Sequence, residues 1–172
     1  MPAAKVHGDP RRAQMKRVLL TSGVLAGAVV VLALGCRLWW SYRKQALSDT
    51  IASARPVIEA IREYARDHGH PPSALADLVP KYMPQVPTPK GPTRHGWVYW
   101  GGGDVKQGIG HMHTMDPEAG EWAIGIAVER GFNFELFYSL GDYFVYHPSG
   151  RYSKHAYGGV LERVNEWGYY HE

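Results

Sequence analysis

The chain has 172 residues, a formal net charge of +3, 20% charged residues and 45% hydrophobic residues. This small charge, part of it in a basic N-terminal tail, gives no indication of nucleic-acid binding. The 12 prolines, 20 glycines, 11 tyrosines and 6 tryptophans argue against an all-helical protein and favour short strands joined by turns.

Residues 1–17 are polar and basic and contain two prolines, which predicts a disordered cytoplasmic tail. The next 19 residues, Val18 to Cys36, carry no charged side chain. A helix of that length measures about 28 Å, close to the hydrocarbon thickness of a bilayer. The sequence therefore predicts a transmembrane helix with an aromatic belt over residues 18–42. Its predicted anchor residues include Val18, Leu25, Val30, Leu34, Trp39 and Trp40.

Basic residues determine the predicted orientation. Five Lys or Arg residues precede the apolar run and three follow it closely, which favours a cytoplasmic N-terminus. The prediction is a single-pass protein of the inner (cytoplasmic) membrane, with the lipid bilayer as a partner and residues 43–172 as an extracytoplasmic domain. Cys36 is the only cysteine, so an intramolecular disulfide is excluded. Retention of the anchor, cleavage by signal peptidase and lipidation at Cys36 remain alternatives.

The helical pattern continues from residue 43 to residue 68. Apolar side chains recur at three- and four-residue steps from Ile51 to Ala65, and charged residues occupy the other faces. This predicts an amphipathic helix against a core, with a kink or a new start at Pro56 and an end at Gly69. The proline-paced segment 80–89 predicts an extended connector rather than a central strand.

From Trp97 onward the hydrophobic period changes to two, which predicts an antiparallel sheet. Predicted strands cover residues 97–100, 122–128, 132–138, 143–147 and 151–153, and a glycine-rich loop covers residues 101–120. Residues 158–172 fit either a short helix or a strand at 167–170, and the strand is favoured. The predicted fold class is α+β: a transmembrane helix continues into an amphipathic helix packed on a small antiparallel β-sheet.

The order of these parts resembles a known family. Residues 64–72, YARDHGHPP, and residues 75–82, LADLVPKY, are similar to the helix end and sheet entry of type IV pilins and, more closely, of the major pseudopilins of type II secretion. The family's prepilin peptidase motif, a small residue followed by Phe-Thr-Leu-Ile-Glu, is missing here. The resemblance implies a pilin-like structural or assembly component of a secretion or pilus-like system. Such a protein acts through contacts with protein partners or with itself and is not an enzyme.

Two short-spaced histidine pairs are the candidates for metal binding. One pair is His68 and His70, and the other is His111 and His113, followed by Asp116 in the glycine-rich loop. Neutral imidazoles completed by a carboxylate suit Zn²⁺ or Cu²⁺. A His-x-His pair on a loop fixes no geometry, however, so the favoured interpretation is solvated loop histidines and no cofactor.

The strands contain more large aromatic residues than one face of a small sheet needs, among them Trp97, Tyr99, Trp100 and Trp122. Large rings on an outer face mark binding surfaces. An alternative function is therefore a membrane-tethered module that holds a glycan or peptide on this aromatic face or on the loop 101–120. The competing interpretation is that the helix covers one face of the sheet and the loops cover the other.

Overall fold

The computed structural model describes residues 10–101, 104–107, 115–129, 142–157 and 159–171. These residues form one long helix and a six-stranded sheet, so the fold is α+β. The elements are α1 (Pro10–His68), β1 (Val98–Gly101), β2 (Asp104–Gln107), β3 (Trp122–Val128), β4 (Asp142–Tyr146), β5 (Val160–Val164) and β6 (Trp167–His171). The chain divides into two compact units, residues 1–44 and residues 45–172.

Helix α1 begins at Pro10, inside the segment predicted as a tail, and includes Pro56. It ends at His68 because Gly69 adopts a φ of +78°, a conformation that residues with a side chain rarely adopt. The Gly69 N–H donates to the Ala65 carbonyl at 2.8 Å, which satisfies one of the last backbone acceptors of the helix. The glycine therefore ends the helix where the sequence predicts.

The predicted transmembrane helix is wrong. Among the residues that the structure describes, no helix is both long enough and apolar enough to cross a membrane. Crossing needs about 20 consecutive, mostly apolar residues. The predictions of a single-pass inner-membrane location and of a membrane-anchored pseudopilin depend on that helix, and the same finding contradicts them.

The strands form one antiparallel sheet in the order β2-β1-β3-β4-β6-β5. β1 and β3 are aligned with Tyr99 opposite Ile124. β5 and β6 form a hairpin closed by the pair Val164 and Trp167, and Asn165 in its turn has a φ of 56°. Asn tolerates this left-handed conformation better than most residues. In the strand order, β6 lies between β4 and β5, so β6 is an inner strand and β5 is an edge strand.

Both faces of the sheet are buried, because side chains alternate along each strand and each side has its own cover. On one face α1 supplies Leu47, Ala54, Val57, Ile58 and Ile61 to a core with Tyr99, Ile124, Ile126, Phe144, Trp167 and Tyr169. On the other face the loop residues Ala119 and Tyr157 pack with Val98, Trp100, Ala123, Tyr143, Val145 and Tyr170. The aromatic side chains of the described strands thus pack into two cores.

The strand predictions differ from the structure in several places. β3 has the predicted bounds, whereas β1 and β4 are each shifted by one residue. Residues 151–153 do not form a strand; Tyr152 instead lies over Gly168, where an added Cβ would be 2.5 Å from the tyrosine ring. β2 lies in the predicted loop. The favoured strand at 167–170 is confirmed as β6, and β5 precedes it as a further strand. The predicted strand 132–138 lies outside the described residues.

Candidate functional site

The first candidate is a part of α1 whose large apolar side chains are exposed. We call residues 25–42 the apolar segment. Leu38 exposes 72% of its surface, and Val31 and Leu32 each expose 68%. The other large hydrophobic side chains exposed in this segment are Leu25, Val29, Val30, Leu34, Trp40 and Tyr42. Because consecutive residues point to different sides of a helix, the uncharged part from Gly27 to Cys36 is apolar all round, and such helices are normally covered.

The predicted anchor residues lie in this segment wherever their side chains are described. Leu25, Val30, Leu34 and Trp40 are exposed, and Trp39 is half-buried. The side chain of Val18 lies outside the described residues. At the end of the segment the Arg43 guanidinium carbon and the Lys44 Nζ lie 5.4 and 5.5 Å from the centroid of the Trp40 ring. Two cations therefore border the apolar surface through cation–π contacts.

The four aromatic residues predicted as a binding surface are buried. Tyr99 and Trp100 are 0% exposed, Trp122 is 5% exposed and Trp97 is 6% exposed. The Trp97 Nε1 donates a hydrogen bond to the Pro87 carbonyl at 2.7 Å, and the Tyr99 hydroxyl donates to a second carbonyl, at Pro72, at 2.8 Å. These rings fasten the segment between α1 and β1 to the sheet. In the described structure they offer no accessible face to a glycan or peptide.

A buried polar network centred on Asp116 connects the loops over the second face of the sheet. The Ser153 N–H donates to Asp116 Oδ2 at 2.8 Å, and the Ser153 hydroxyl donates to Oδ1 at 2.7 Å. The Glu118 N–H donates to the same Oδ1 at 3.0 Å. Asp116, a predicted metal-ligand candidate, is 1% exposed and accepts protein donors on both oxygens. This arrangement joins two loops that are 37 residues apart in sequence.

His147 belongs to the same network and is fully buried. Its Nδ1 lies 2.7 Å from the Arg151 carbonyl, which can only accept, so Nδ1 carries the proton. The Tyr157 hydroxyl, 2.9 Å from Nε2, donates to that nitrogen and accepts from the Asp116 N–H at 3.2 Å. The Tyr152 ring stacks on the imidazole with centroids 4.2 Å apart. The geometry therefore fits one neutral tautomer of His147.

The charges of these groups follow from their surroundings. Burial lowers the pKa of His147, and the Arg151 carbonyl and the Asp116 carboxylate, 3.9 Å away, oppose this effect only in part. Burial alone would raise the pKa of Asp116, but the hydrogen bonds from Ser153 and Glu118 outweigh it and the pKa is lowered. A neutral imidazole and a charged carboxylate without access to solvent suit a structural network rather than a catalytic site.

The structure describes only one of the two histidine pairs that are candidates for metal binding. His111 and His113, with most of the glycine-rich loop, lie outside the described residues. His68 and His70 are described, and both are exposed at the end of α1, with ring centroids 6.2 Å apart. In the described ranges no group of three or more His, Cys, Asp or Glu side chains could hold a metal ion.

A groove of about 560 Å³ lies beside α1 and the turn between β5 and β6. Its lining includes Arg55, Glu59, Arg62 and Glu166. Arg62 Nη2 donates to the Tyr146 hydroxyl at 2.7 Å. The described lining combines charged side chains of both signs with the Tyr146 hydroxyl and contains no Ser, Thr, Cys or His, so the groove gives no indication of a particular reaction.

Apart from Asp116, the members of the network around His147 are not singled out by the sequence, because they belong to no motif and meet only through the fold. The one available signal was the density of Tyr and His between residues 146 and 157. No protein-family model matches the chain, and searches of curated proteins and of solved structures find no match either.

Proposed function

We propose that this protein is a non-enzymatic assembly subunit that associates with copies of itself through the apolar segment of α1. The observation that carries this proposal is the exposure of large apolar side chains on consecutive residues from Val29 to Leu32. Surfaces of this kind on a folded protein are usually interaction sites. The resemblance to pilin-like proteins supports the same role, since in that family the N-terminal helix is the assembly surface. A structural part of a pilus-like or secretion system is the setting that this resemblance favours.

The free energy gained by burying these side chains is of the same order as the cost of association. Burying one Val or Leu side chain contributes about 1.5–3 kcal/mol, so covering about six of them contributes on the order of 10 kcal/mol. The loss of translational and rotational freedom on association costs about 4–15 kcal/mol. The two terms are comparable, so dimers or larger assemblies form at concentrations that depend on how many sides of the helix are covered.

Identical helices are the partner that fits this surface best. A one-sided apolar stripe would fit a single groove, whereas the apolar segment needs neighbours on several sides. From Gly27 to Cys36 no charged residue interrupts the surface, so neighbouring copies meet no like-charge repulsion there. An added Cβ at Gly27 or Gly35 would meet no atom within 4 Å, which leaves room for another helix to approach closely.

Cys36 provides the test, because it is exposed within the apolar segment and is the only cysteine. Treatment of the full chain with a short bifunctional maleimide should give linked dimers at low micromolar concentration. The matched control is Cys36→Ser combined with Lys154→Cys, which places the thiol on an exposed loop of the second unit. Linkage at 36 but not at 154 supports the proposal.

Sedimentation velocity gives an independent measurement. The wild type should sediment as dimers or larger species, and Val31→Glu should shift it toward the monomer, because a charge would be buried in the contact. A wild type that stays monomeric at about 50 μM and links no faster at Cys36 than the control does at 154 would overturn the proposal.

A further inference from the structure

We propose that His68 and His70 form a surface binding site for a divalent transition-metal ion of the Cu²⁺, Ni²⁺ and Zn²⁺ class. Each imidazole would bind through Nε2. The site lies in the second compact unit and does not depend on self-association through the apolar segment.

The hydrogen bonds of the two rings leave the same nitrogen free. His68 Nδ1 lies 2.9 Å from the Tyr64 carbonyl oxygen, and His70 Nδ1 lies 2.9 Å from the Pro71 carbonyl oxygen. A carbonyl only accepts, so in the neutral form each Nδ1 carries the proton and each Nε2 has a free lone pair. Metal-binding histidines in proteins are commonly held in this way, by an N–H···O=C bond from the other ring nitrogen.

The end of α1 brings the rings close enough to share an ion. Gly69, at a φ of +78°, turns the chain at the helix end so that His70 returns beside His68. The ring centroids are 6.2 Å apart. An ion bound at about 2.0–2.1 Å to one nitrogen of each ring at the tetrahedral angle joins centroids about 5 Å apart, so the rings must approach by about 1 Å. Both side chains are exposed, so small rotations can improve the angle at the ion.

The surroundings hold one ring in place and favour a cation. The Tyr64 ring stacks on His68 with centroids 4.0 Å apart and planes inclined by 18°. The last carbonyls of α1 give the helix end a partial negative charge, which attracts cations. Asp67 adds a carboxylate, although Lys81 Nζ, 2.8 Å from it, compensates much of that charge. The Tyr82 hydroxyl also contacts the His68 ring and lies 3.4 Å from Nδ1.

The two protein ligands define the chemical class of the ion. The described part of the chain contains no group of three or more His, Cys, Asp or Glu side chains that could hold a metal, so within it the two imidazoles are the protein ligands and water would fill the other coordination positions. Imidazole nitrogens suit Cu²⁺, Ni²⁺ and Zn²⁺, with Cu²⁺ bound most tightly, whereas Mg²⁺ and Ca²⁺ require oxygen ligands. The site should therefore discriminate strongly between these two groups.

Isothermal titration of the full chain with CuCl₂, NiCl₂, ZnCl₂ and MgCl₂ at about pH 7.5 tests the site. His68→Gln and His70→Gln should each weaken Cu²⁺ and Zn²⁺ binding at least about tenfold, since even changes outside the ligand shell cost that much. Both residues are exposed, and circular dichroism checks that the variants fold. The matched control is the double variant His111→Gln/His113→Gln, which changes the other pair and should leave the affinity unchanged.

A second measurement identifies the ligating atoms. In ¹⁵N-detected imidazole spectra, Zn²⁺ should shift the Nε2 resonances of His68 and His70 and leave Nδ1 protonated. The inference is overturned if no transition metal binds, if binding survives both single variants, if it is lost in the His111/His113 variant instead, or if Mg²⁺ binds equally well.

Discussion

The hydroxyl of Tyr157 connects two parts of the buried network, and Tyr157→Phe should destabilise the protein measurably. The ring is 6% exposed and packs against Trp100 and Tyr170, with centroids 5.4 and 4.9 Å away. Phenylalanine keeps these contacts. The substitution removes only the oxygen that donates to His147 Nε2 and accepts from the Asp116 N–H.

The expected loss follows from what remains buried. Each of the two groups left without its partner costs about 1–3 kcal/mol. The contact with His147 is 2.9 Å long and the contact with the Asp116 N–H is 3.2 Å long, so the second is the weaker of the two. Together they predict a decrease of about 2–4 kcal/mol in the free energy of unfolding.

Equilibrium unfolding in urea at about pH 7.5, followed by tryptophan fluorescence, measures this loss. The matched control is Tyr82→Phe, which removes a tyrosine hydroxyl that donates to Asp67 at 2.8 Å in exposed surroundings. That change should cost less than about 1 kcal/mol. If Tyr157→Phe costs no more than Tyr82→Phe, the buried network contributes no net stability and the reasoning is refuted.

The other predictions concern the pH dependence of the free energy of unfolding and the effect of Gly→Ala substitutions on stability. Because the pKa of His147 is lowered in the folded protein, the free energy of unfolding should decrease as the pH falls below the ordinary value of 6.5, by up to about 1.4 kcal/mol per pH unit. Unfolding curves between about pH 8 and 5 should lose this slope in His147→Gln; an unchanged slope would assign it to another group. Asp116 also has a lowered pKa, so its contribution should be complete above 3.8 and be lost only at lower pH; Asp116→Asn should abolish that second decrease. Gly125→Ala should destabilise by on the order of 3 kcal/mol, because the new Cβ would collide with the Phe144 carbonyl oxygen. Gly96→Ala, where an added Cβ would meet no atom within 4 Å, should be neutral or stabilise slightly, so equal changes in thermal midpoint for the two variants would contradict this account.

The sequence was informative where the cause of structure is local. Alternating side chains placed β3 correctly, and Gly69 marked the end of α1 because a left-handed residue is the usual helix stop. The same alternation could not show that both faces of the sheet are buried. That depends on loops from distant parts of the chain, such as the one that brings Tyr157 onto Trp100.

The candidate sites show the same limit. Asp116 drew attention as a carboxylate near two histidines, but its partner in the structure is Ser153, 37 residues later, and no spacing rule predicts that pairing. The uncharged run from Val18 predicted a membrane span because length and composition are all that a sequence offers there. The pair His68 and His70 was visible in the sequence, yet only the geometry showed that both rings present Nε2.

The position of β6 has a consequence for the order in which the protein is built. β4 pairs with β3 on one side and with β6 on the other, with Phe144 opposite Ile126 and Tyr169. On the ribosome, β4 is therefore synthesised before the strand that covers its second edge. Until residues 160–171 emerge, that edge exposes unpaired backbone donors and acceptors, the kind of surface on which chaperones and aggregation act. Once residues 160–171 are available, the β5–β6 hairpin can form within about 1–10 μs. Pairing of β6 with β4 then completes the sheet.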